Sequence, residues 1–546
     1  MGIPSYFSHI VKQHRSIIKN FINDKKKDKI ENLYLDSNSI IYDAFNNNNN
    51  LDELQLINAV CDKLIYYIKL IEPSKQVFIA FDGIAPLAKL NQQRNRRYMS
   101  ILQKQLEDES DESDDIKNNK SKWNTSAITP GTDFMKQLGI SINKRFSNNA
   151  KEFGLEKIKI SNADEEGEGE HKIFEYIRQN DLYHKNTKTI IYGLDADLIM
   201  LTLNHLHISS QLYLFRETPH FIQQIDRTLN PNELYLLDIN VFGDSIIKEF
   251  TGDLEGINHT TNNENKIFDY IFICFFLGND FLPHFPALNI RTNGINYLMN
   301  AYKHVFNLKE NLTADKGTRI VWKNVRKFIE YLSMNELKYI QGEYKKRDRA
   351  NNNNNNADDK KDYMLIPSKD RSIEKYINPF EIGWEKRYYN TLLFDNDKND
   401  KNDKNDKNDK CKEICINYLQ GLEWTMKYYT SGCIDWRWNY VYHYPPLLSD
   451  LIKYVPYFDT CLIEKKPKNP VLPLVQLCYV LPELSLDLLP QSLRKELMKQ
   501  HPEWYTIDCD LKWSFCKYLW EAHACLPLID INELERLVVS YLENKK

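Results

Sequence analysis

NLYLDSNSIIYDAF, residues 32–45, opens with a short apolar run that finishes in the carboxylate of Asp36. The pattern recurs along the first half of the chain. VFIAF at 77–81 is followed by Asp82, and TIIYGL at 189–194 by Asp195 and then Asp197. Runs of this length, rich in β-branched and aromatic residues and bounded by turn residues, predict strands at 32–35, 77–81, 188–192 and 212–215. Between them, residues 51–71 and 170–178 carry apolar residues at helical spacing. Strands alternating with helices predict an α/β fold, a parallel sheet core with helices on both faces. In such a sheet the carboxyl ends of the strands face one edge, where sites assemble. One strand-end Asp is ordinarily a cap or turn residue, but three such ends at one edge make a candidate site.

The 546 residues hold 72 Lys and Arg against 76 Asp and Glu, a net charge of −4. Any polyanion must therefore be met by a local cationic surface rather than by the whole molecule. An apolar fraction of 42% excludes a wholly disordered chain, and ten cysteines in 546 residues exclude a disulfide miniprotein. Only Cys411 and Cys415 lie close together, and no CxxC occurs, so reduced thiols packed in a core are expected. The most apolar stretch, 270–277, is far too short to cross a bilayer. MGIPSYFSHI reads as neither a signal peptide nor a myristoylation signal. We expect an intracellular protein with no membrane partner.

Low-complexity runs set the expected organisation. An N-terminal domain of 1–342 carries insertions near 46–50, a run of Asn, and 107–120, which contains EDESDESDD. A charged, Asn-rich linker follows at 343–376, and then a mostly helical second region at 377–546. Within that region a disordered insertion is expected at 395–410, where Asn-Asp-Lys repeats five times.

Three further acids join the strand-end group. Glu168 and Glu170 open the helical pattern in EEGEGEHKIFEYIR, where the helix dipole alone also favours acid, and Asp280 closes the apolar segment IFICFFLGND. Crowded carboxylates repel one another unless cations intervene. Oxygen ligands without Cys or His suit Mg²⁺ or Mn²⁺, and two such ions can promote phosphodiester hydrolysis. Just after Asp82, the segment KLNQQRNRRY places Lys89, Gln93, Arg96 and Arg97 within an arc of about 100° on a helix. Such a face suits a terminal phosphate.

These segments, with ITPGTDFM, FEIGWEKRYYNTLLF, YLQGLEWTMKYYTSGCIDWRWNYVYHYPPLLSDL and QLCYVLPELSLDLLP, occur in an order that resembles the catalytic core of the Xrn-type 5′–3′ exoribonucleases. The resemblance implies a PIN-like, flap-nuclease-related fold with a second conserved region against it. It also implies processive hydrolysis of single-stranded RNA bearing a 5′-monophosphate. Asp36, Asp82, Glu168, Glu170, Asp195, Asp197 and Asp280 match the family's catalytic, metal-binding acids, and Lys89, Gln93, Arg96 and Arg97 its 5′-phosphate pocket. Tyr42 stands where the family commonly has a base-stacking His, and Trp436 or Trp438 matches the second stacking residue. The expected form is a monomer, cytoplasmic rather than nuclear, without the long C-terminal extension or zinc knuckle of some members. Two rival readings are a flap-type DNA endonuclease and a catalytically weak RNA-binding protein.

Overall fold

A computed structural model describes residues 2–22, 29–46, 51–110, 123–216, 223, 227–230, 233–252, 261–306, 309–354, 362–394, 404–506 and 509–545. At its centre is a seven-stranded sheet of β1 (Ile18–Asn20), β2 (Asn32–Asp36), β3 (Gln76–Ala80), β4 (Lys157–Ser161), β5 (Thr189–Tyr192), β6 (Leu212–Arg216) and β7 (Tyr235–Asp238). The spatial order is β1-β7-β6-β5-β2-β3-β4. Strands β2 to β6 run parallel, while β7, antiparallel to both of its neighbours β6 and β1, is the reversed strand on one side. The chain lays β2, β3 and β4 outward, then returns to place β5 and β6 on the other side of β2. The direction of winding reverses between β2 and β5, and in open α/β sheets the space beyond the strand ends at such a point is where sites assemble.

Every residue of β2, β3 and β5 is buried, as expected of parallel strands covered on both faces. Side chains alternate between two apolar layers. Tyr34, Phe78 and Ile191 enter one, with Ile173, Phe174 and Phe272 from the helices, and Leu33, Leu35, Val77, Ile79 and Ile190 enter the other, with Val60, Leu64 and Ile142. Strands β1, β4 and β7 were not predicted. β4, Lys-Ile-Lys-Ile-Ser, is an edge strand with an exposed first residue and only partly buried lysine at its centre, so it carries no continuous apolar signal.

The second region is built mainly of helices, among them Trp384–Leu392, Lys404–Thr430, Pro473–Val480 and Ile531–Glu543, and the long helix Trp322–Asn354 precedes it. Three features differ from expectation at the low-complexity runs. Helix Trp322–Asn354 crosses residue 343 without a break, Glu343 and Tyr344 are buried, and Arg347 pairs with Glu374 at 2.8 Å. The charges that make 343–376 look like a linker are thus partly internal partners of one another, and 355–361 lies outside the described residues. Helix Lys404–Thr430 begins inside the Asn-Asp-Lys repeat, so the last two triplets are helical rather than part of a disordered insertion. Helix extension is easy once packing has nucleated it, and the triplet contains neither Gly nor Pro. Helices Asn38–Asn46 and Leu87–Ser110 end within the other two insertions, and 47–50 and 111–122 lie outside the described residues. Cys61, Cys274, Cys415, Cys478 and Cys516 are buried.

Candidate active site

The acids are positioned by chain ends of the sheet and by helix starts. Asp36 is the last residue of β2, and Asp82 follows β3 by two positions. Glu168 is the N-cap of helix Gly169–Gln179, and Glu170 sits in its first turn. Asp195 follows β5, and Asp197 opens helix Asp197–Asn204. Asp280 comes just after the buried turn Phe275–Leu277.

Carboxylate oxygens of Asp36, Asp82 and Glu170 lie within 4.8 Å of one another. Asp82 is held on both sides: Asn38 Nδ2 donates to its Oδ2 at 2.7 Å, and the Gly169 amide donates to its Oδ1 at 2.7 Å. A β-carbon on Gly169 would fall 2.4 Å from Asp36 Oδ1, so only glycine lets the helix start approach this closely. Burial and then repulsion from Asp82 and Asp195 push the Asp36 carboxyl well above the usual range. Burial and Asp36 do the same to Glu170, and burial with Asp280 pushes Asp197 up to about 7. Asp36 Oδ1 and Asp197 Oδ1 are buried without a hydrogen-bond partner. Orphaned, mutually repelling carboxylate oxygens in close reach fit a hard divalent cation, which would supply the missing positive charge.

One cation of the chain already enters the cluster. Lys89 Nζ lies 2.6 Å from Glu168 Oε2 and 2.7 Å from Asp280 Oδ2. Burial alone would raise the Asp280 carboxyl, but Lys89 holds it well below the usual range. The N-terminal arm arrives at the same place: the Gly2 amide donates to Asp280 Oδ1 at 3.1 Å, and a β-carbon on Gly2 would overlap Asp197.

The expected phosphate face therefore divides. All four residues lie on helix Leu87–Ser110, but Lys89 turns its ammonium onto the acids, which need a counter-charge, while Arg96 is exposed and Gln93 half-buried. Arg96 acts electrostatically on both Asp195 and Asp280, so its charge stands at the edge of the cluster. Arg97 donates to Thr129 Oγ1 at 2.5 Å, and burial pushes its guanidinium down to about 10, still cationic at neutral pH. Tyr42 is 42% exposed and near enough to act on Arg97. Trp438 is core: it stacks on Trp424 at 5.1 Å and belongs to the main apolar cluster. Trp436 lies outside that cluster, and its carbonyl accepts from the Leu87 amide at 2.9 Å, at the start of the helix that carries the cations.

Sequence reasoning missed several residues here. Tyr428 donates to Glu168 Oε1 at 2.7 Å and stacks on the neutral His171 ring at 3.7 Å. Tyr429 reaches Asp197 with its hydroxyl. Trp424 stacks on Tyr428 at 4.8 Å, so Trp438, Trp424, Tyr428 and His171 form a continuous aromatic ladder from the second region to the acids. Lys172 donates from Nζ to the carbonyls of Phe81 and Asn162, both at 2.8 Å, and so ties the approach to Asp82 to the loop before Glu168. The adjacent tyrosines of WTMKYY carry no sequence signal that distinguishes them from core residues.

A family model described as the XRN 5′-3′ exonuclease N-terminus matches residues 1–218, and one described as the Xrn1 helical domain matches 260–378 and 368–544. The chain belongs to the Xrn family of 5′–3′ exonucleases. The helical-domain match begins at residue 260, so in Xrn terms Asp280, Tyr428 and Tyr429 come from the helical part, and the other six acids from the N-terminal part. Curated Xrn relatives include 5′-3′ exoribonuclease 2 of Arabidopsis thaliana, 26% identical over 98% of this chain and 66% of its own. Others are 5′-3′ exoribonuclease 1 of Saccharomyces cerevisiae, 27% identical over 99% of this chain and 43% of its own, and 5′-3′ exoribonuclease 1 of Homo sapiens, 28% over 98% and 34%. The chain thus spans between about a third and two-thirds of the length of these Xrn proteins.

Proposed function

We propose that this Xrn chain is a processive 5′–3′ exoribonuclease that hydrolyses 5′-monophosphorylated single-stranded RNA to nucleoside monophosphates. What supports the proposal is the grouping of Asp36, Asp82 and Glu170 oxygens within 4.8 Å of one another, with Glu168, Asp195, Asp197 and Asp280 linked to them or to one another by electrostatic repulsion and a guanidinium, Arg96, at the edge. Asp36, Asp82, Glu168, Glu170, Asp195, Asp197 and Asp280 would hold two Mg²⁺ or Mn²⁺ ions. Bound ions would activate water and offset charge on the leaving oxygen. The chain's own residues do the positioning. Arg96, Arg97 and Gln93 take the terminal phosphate, and Lys89, held between Glu168 and Asp280, lies one helical turn from Gln93 and about two from the arginines, between that phosphate and the acids. Tyr42 offers an exposed ring to the first base, and Trp436, a buried ring outside the main apolar cluster, would present its uncovered edge to a following one. The N-terminal arm and the aromatic ladder exclude water from the sides of the crevice. No helix among the described residues is long and apolar enough to cross a membrane. In this reading the protein works as a monomer, in the cytoplasm rather than the nucleus.

The test is the choice of 5′ end. Arg96→Ala with Arg97→Ala should slow degradation of monophosphorylated RNA by at least tenfold, since hydrogen bonds to charged groups contribute roughly 1.5–3 kcal/mol each. RNA with a 5′-hydroxyl never makes those contacts and should be affected far less. An equal loss on both substrates would reject the pocket, and cleavage of RNA or DNA with a blocked 5′ end would favour an endonuclease.

A further inference from the structure

The segment 464–470, Glu-Lys-Lys-Pro-Lys-Asn-Pro, carries no part of the function assigned so far. Residues 464–469 are all exposed, with three lysines against one glutamate. The segment is nevertheless fastened. The Lys466 amide donates to the Ile434 carbonyl at 2.8 Å, and Arg437 Nε donates to the Asn469 carbonyl at 3.1 Å. It therefore runs beside 434–437 as a strap, and Pro467 and Pro470 restrict its backbone.

The strap lies at the rim of the site. Lys468 Nζ stands 6.0 Å from the centre of the Trp436 ring and pairs with Glu166, two residues before Glu168. Glu166 in turn bridges to Ile84, in the segment between Asp82 and the cationic helix. Lys466 Nζ pairs with Asp435 at 2.7 Å. The Lys468–Glu166 pair does not commit Lys468, because both side chains are exposed, 53% and 40%, and exposed ion pairs contribute little. Lys466 is 64% exposed and, although its partner Asp435 is buried, its ammonium keeps further donors free for solvent. A phosphate can replace Glu166 at Lys468 and join Asp435 at Lys466, whose ammonium has three donors.

The charge problem makes this location meaningful. The chain has a net charge of −4, its catalytic crevice is lined with acids, and Arg96 and Arg97 suffice for one terminal phosphate. The phosphates that follow need cations elsewhere, and a strand leaving the ring of Trp436 meets Lys468 first. We propose that the strap 464–470 is a phosphate track for the RNA lying beyond the bases held at Trp436, with Lys465, Lys466 and Lys468 as its cations. This inference rests on the exoribonuclease reading above.

The test is binding of 5′-phosphorylated RNAs of four and twelve nucleotides, in EDTA to prevent hydrolysis, between 50 and 200 mM salt. The variant carries Lys465→Ala, Lys466→Ala and Lys468→Ala, and a second carries Arg at the same three positions. Each phosphate contact to a single strand contributes about 0.7 to the slope of log affinity against log salt. The Ala variant should bind the twelve-nucleotide RNA about tenfold more weakly, with a slope shallower by about 1.4–2, and bind the four-nucleotide RNA within twofold of the unaltered protein. The Arg variant should restore both affinity and slope. Equal losses on the two lengths, no loss on the longer one, or an Arg variant as weak as the Ala variant would overturn the track. Failure of the unaltered protein to bind either RNA would overturn the exoribonuclease reading and the track with it.

Discussion

Tyr428 shows most directly how single side chains join the two parts of the chain. Its hydroxyl donates to Glu168, a residue 260 positions away, and its ring lies against His171 in the same helix start. Removing only the hydroxyl, by Tyr428→Phe, leaves the stacking in place but frees one carboxylate oxygen of Glu168 to turn. We expect hydrolysis by this variant to need several-fold more Mg²⁺, with RNA affinity in EDTA and the melting temperature close to those of the unaltered protein. A titration of rate against Mg²⁺ checks this, and an unchanged requirement would show the bond to be incidental. The contrast with the acids is instructive about what a sequence exposes. Asp36, Asp82, Asp195 and Asp197 were legible because a strand followed by an acid is a local pattern, and parallel strands send their ends to one edge. Tyr428 was not, because its meaning depends on a contact between distant segments, and a Tyr-Tyr pair in an apolar helix reads equally well as core. Lys89 was legible as a cation near the acids, but its orientation follows from the charge it must offset, which only the assembled cluster defines.

Among elements, helix Leu87–Ser110 has the most distinct faces. One face carries Lys89, which turns onto the acids, with the exposed Arg96, and another docks the C-terminal part of the chain. The docking centres on Arg94, 5% exposed, which donates to the carbonyls of Trp504 at 2.8 Å and Pro527 at 2.7 Å. Asn95 adds a contact on each side, accepting from the Ala524 amide and donating to the Ala522 carbonyl. Arg94→Met keeps the stem and removes both charge-assisted bonds, leaving two carbonyls unpaired. We expect a loss of about 3 kcal/mol in stability, read as a lower urea midpoint, with 5′-end selectivity unchanged in the fraction that stays folded. In the sequence, Arg94 is indistinguishable from its neighbours Arg96 and Arg97, since all three belong to one basic run. Periodicity separates the faces, but it does not say which face is buried by a partner that lies more than 400 residues further on. The same limit hid β4, whose alternate lysines read as surface although the strand pairs with β3 along its full length.

The molecule as a whole does not divide at its low-complexity runs. The main apolar cluster extends from Ile3 to Phe515, a second joins Leu87 and Leu90 to Val475 and Leu534, and a third joins Tyr98 and Met99 to Leu519. Composition marked 343–376 as a boundary because polar runs cannot form a core, yet Tyr344, inside that span, belongs to the main core with Trp322 and Tyr388. The N-terminal half cut at residue 252 should therefore be insoluble when produced alone, exposing the apolar face of its sheet that the helices from 261 onward cover, and co-production with 261–546 should recover soluble material. A well-folded, soluble N-terminal fragment would contradict a shared core.

The helix that carries Tyr428 also emerges, at its other end, from the Asn-Asp-Lys repeat. Lys404 and Tyr428 are 24 residues apart, which on an α-helix is about 36 Å. Between them, Ile414, Cys415, Tyr418 and Leu422 are buried and fix the rotation of the helix against its neighbours. Triplet repeats in a gene gain and lose units during replication, and each gained unit here would be absorbed on the far side of that clamp. The rotational phase of Tyr428 and Tyr429 would stay the same whatever the number of units. The repeat can therefore drift in length across generations without selection on catalysis ever registering the change.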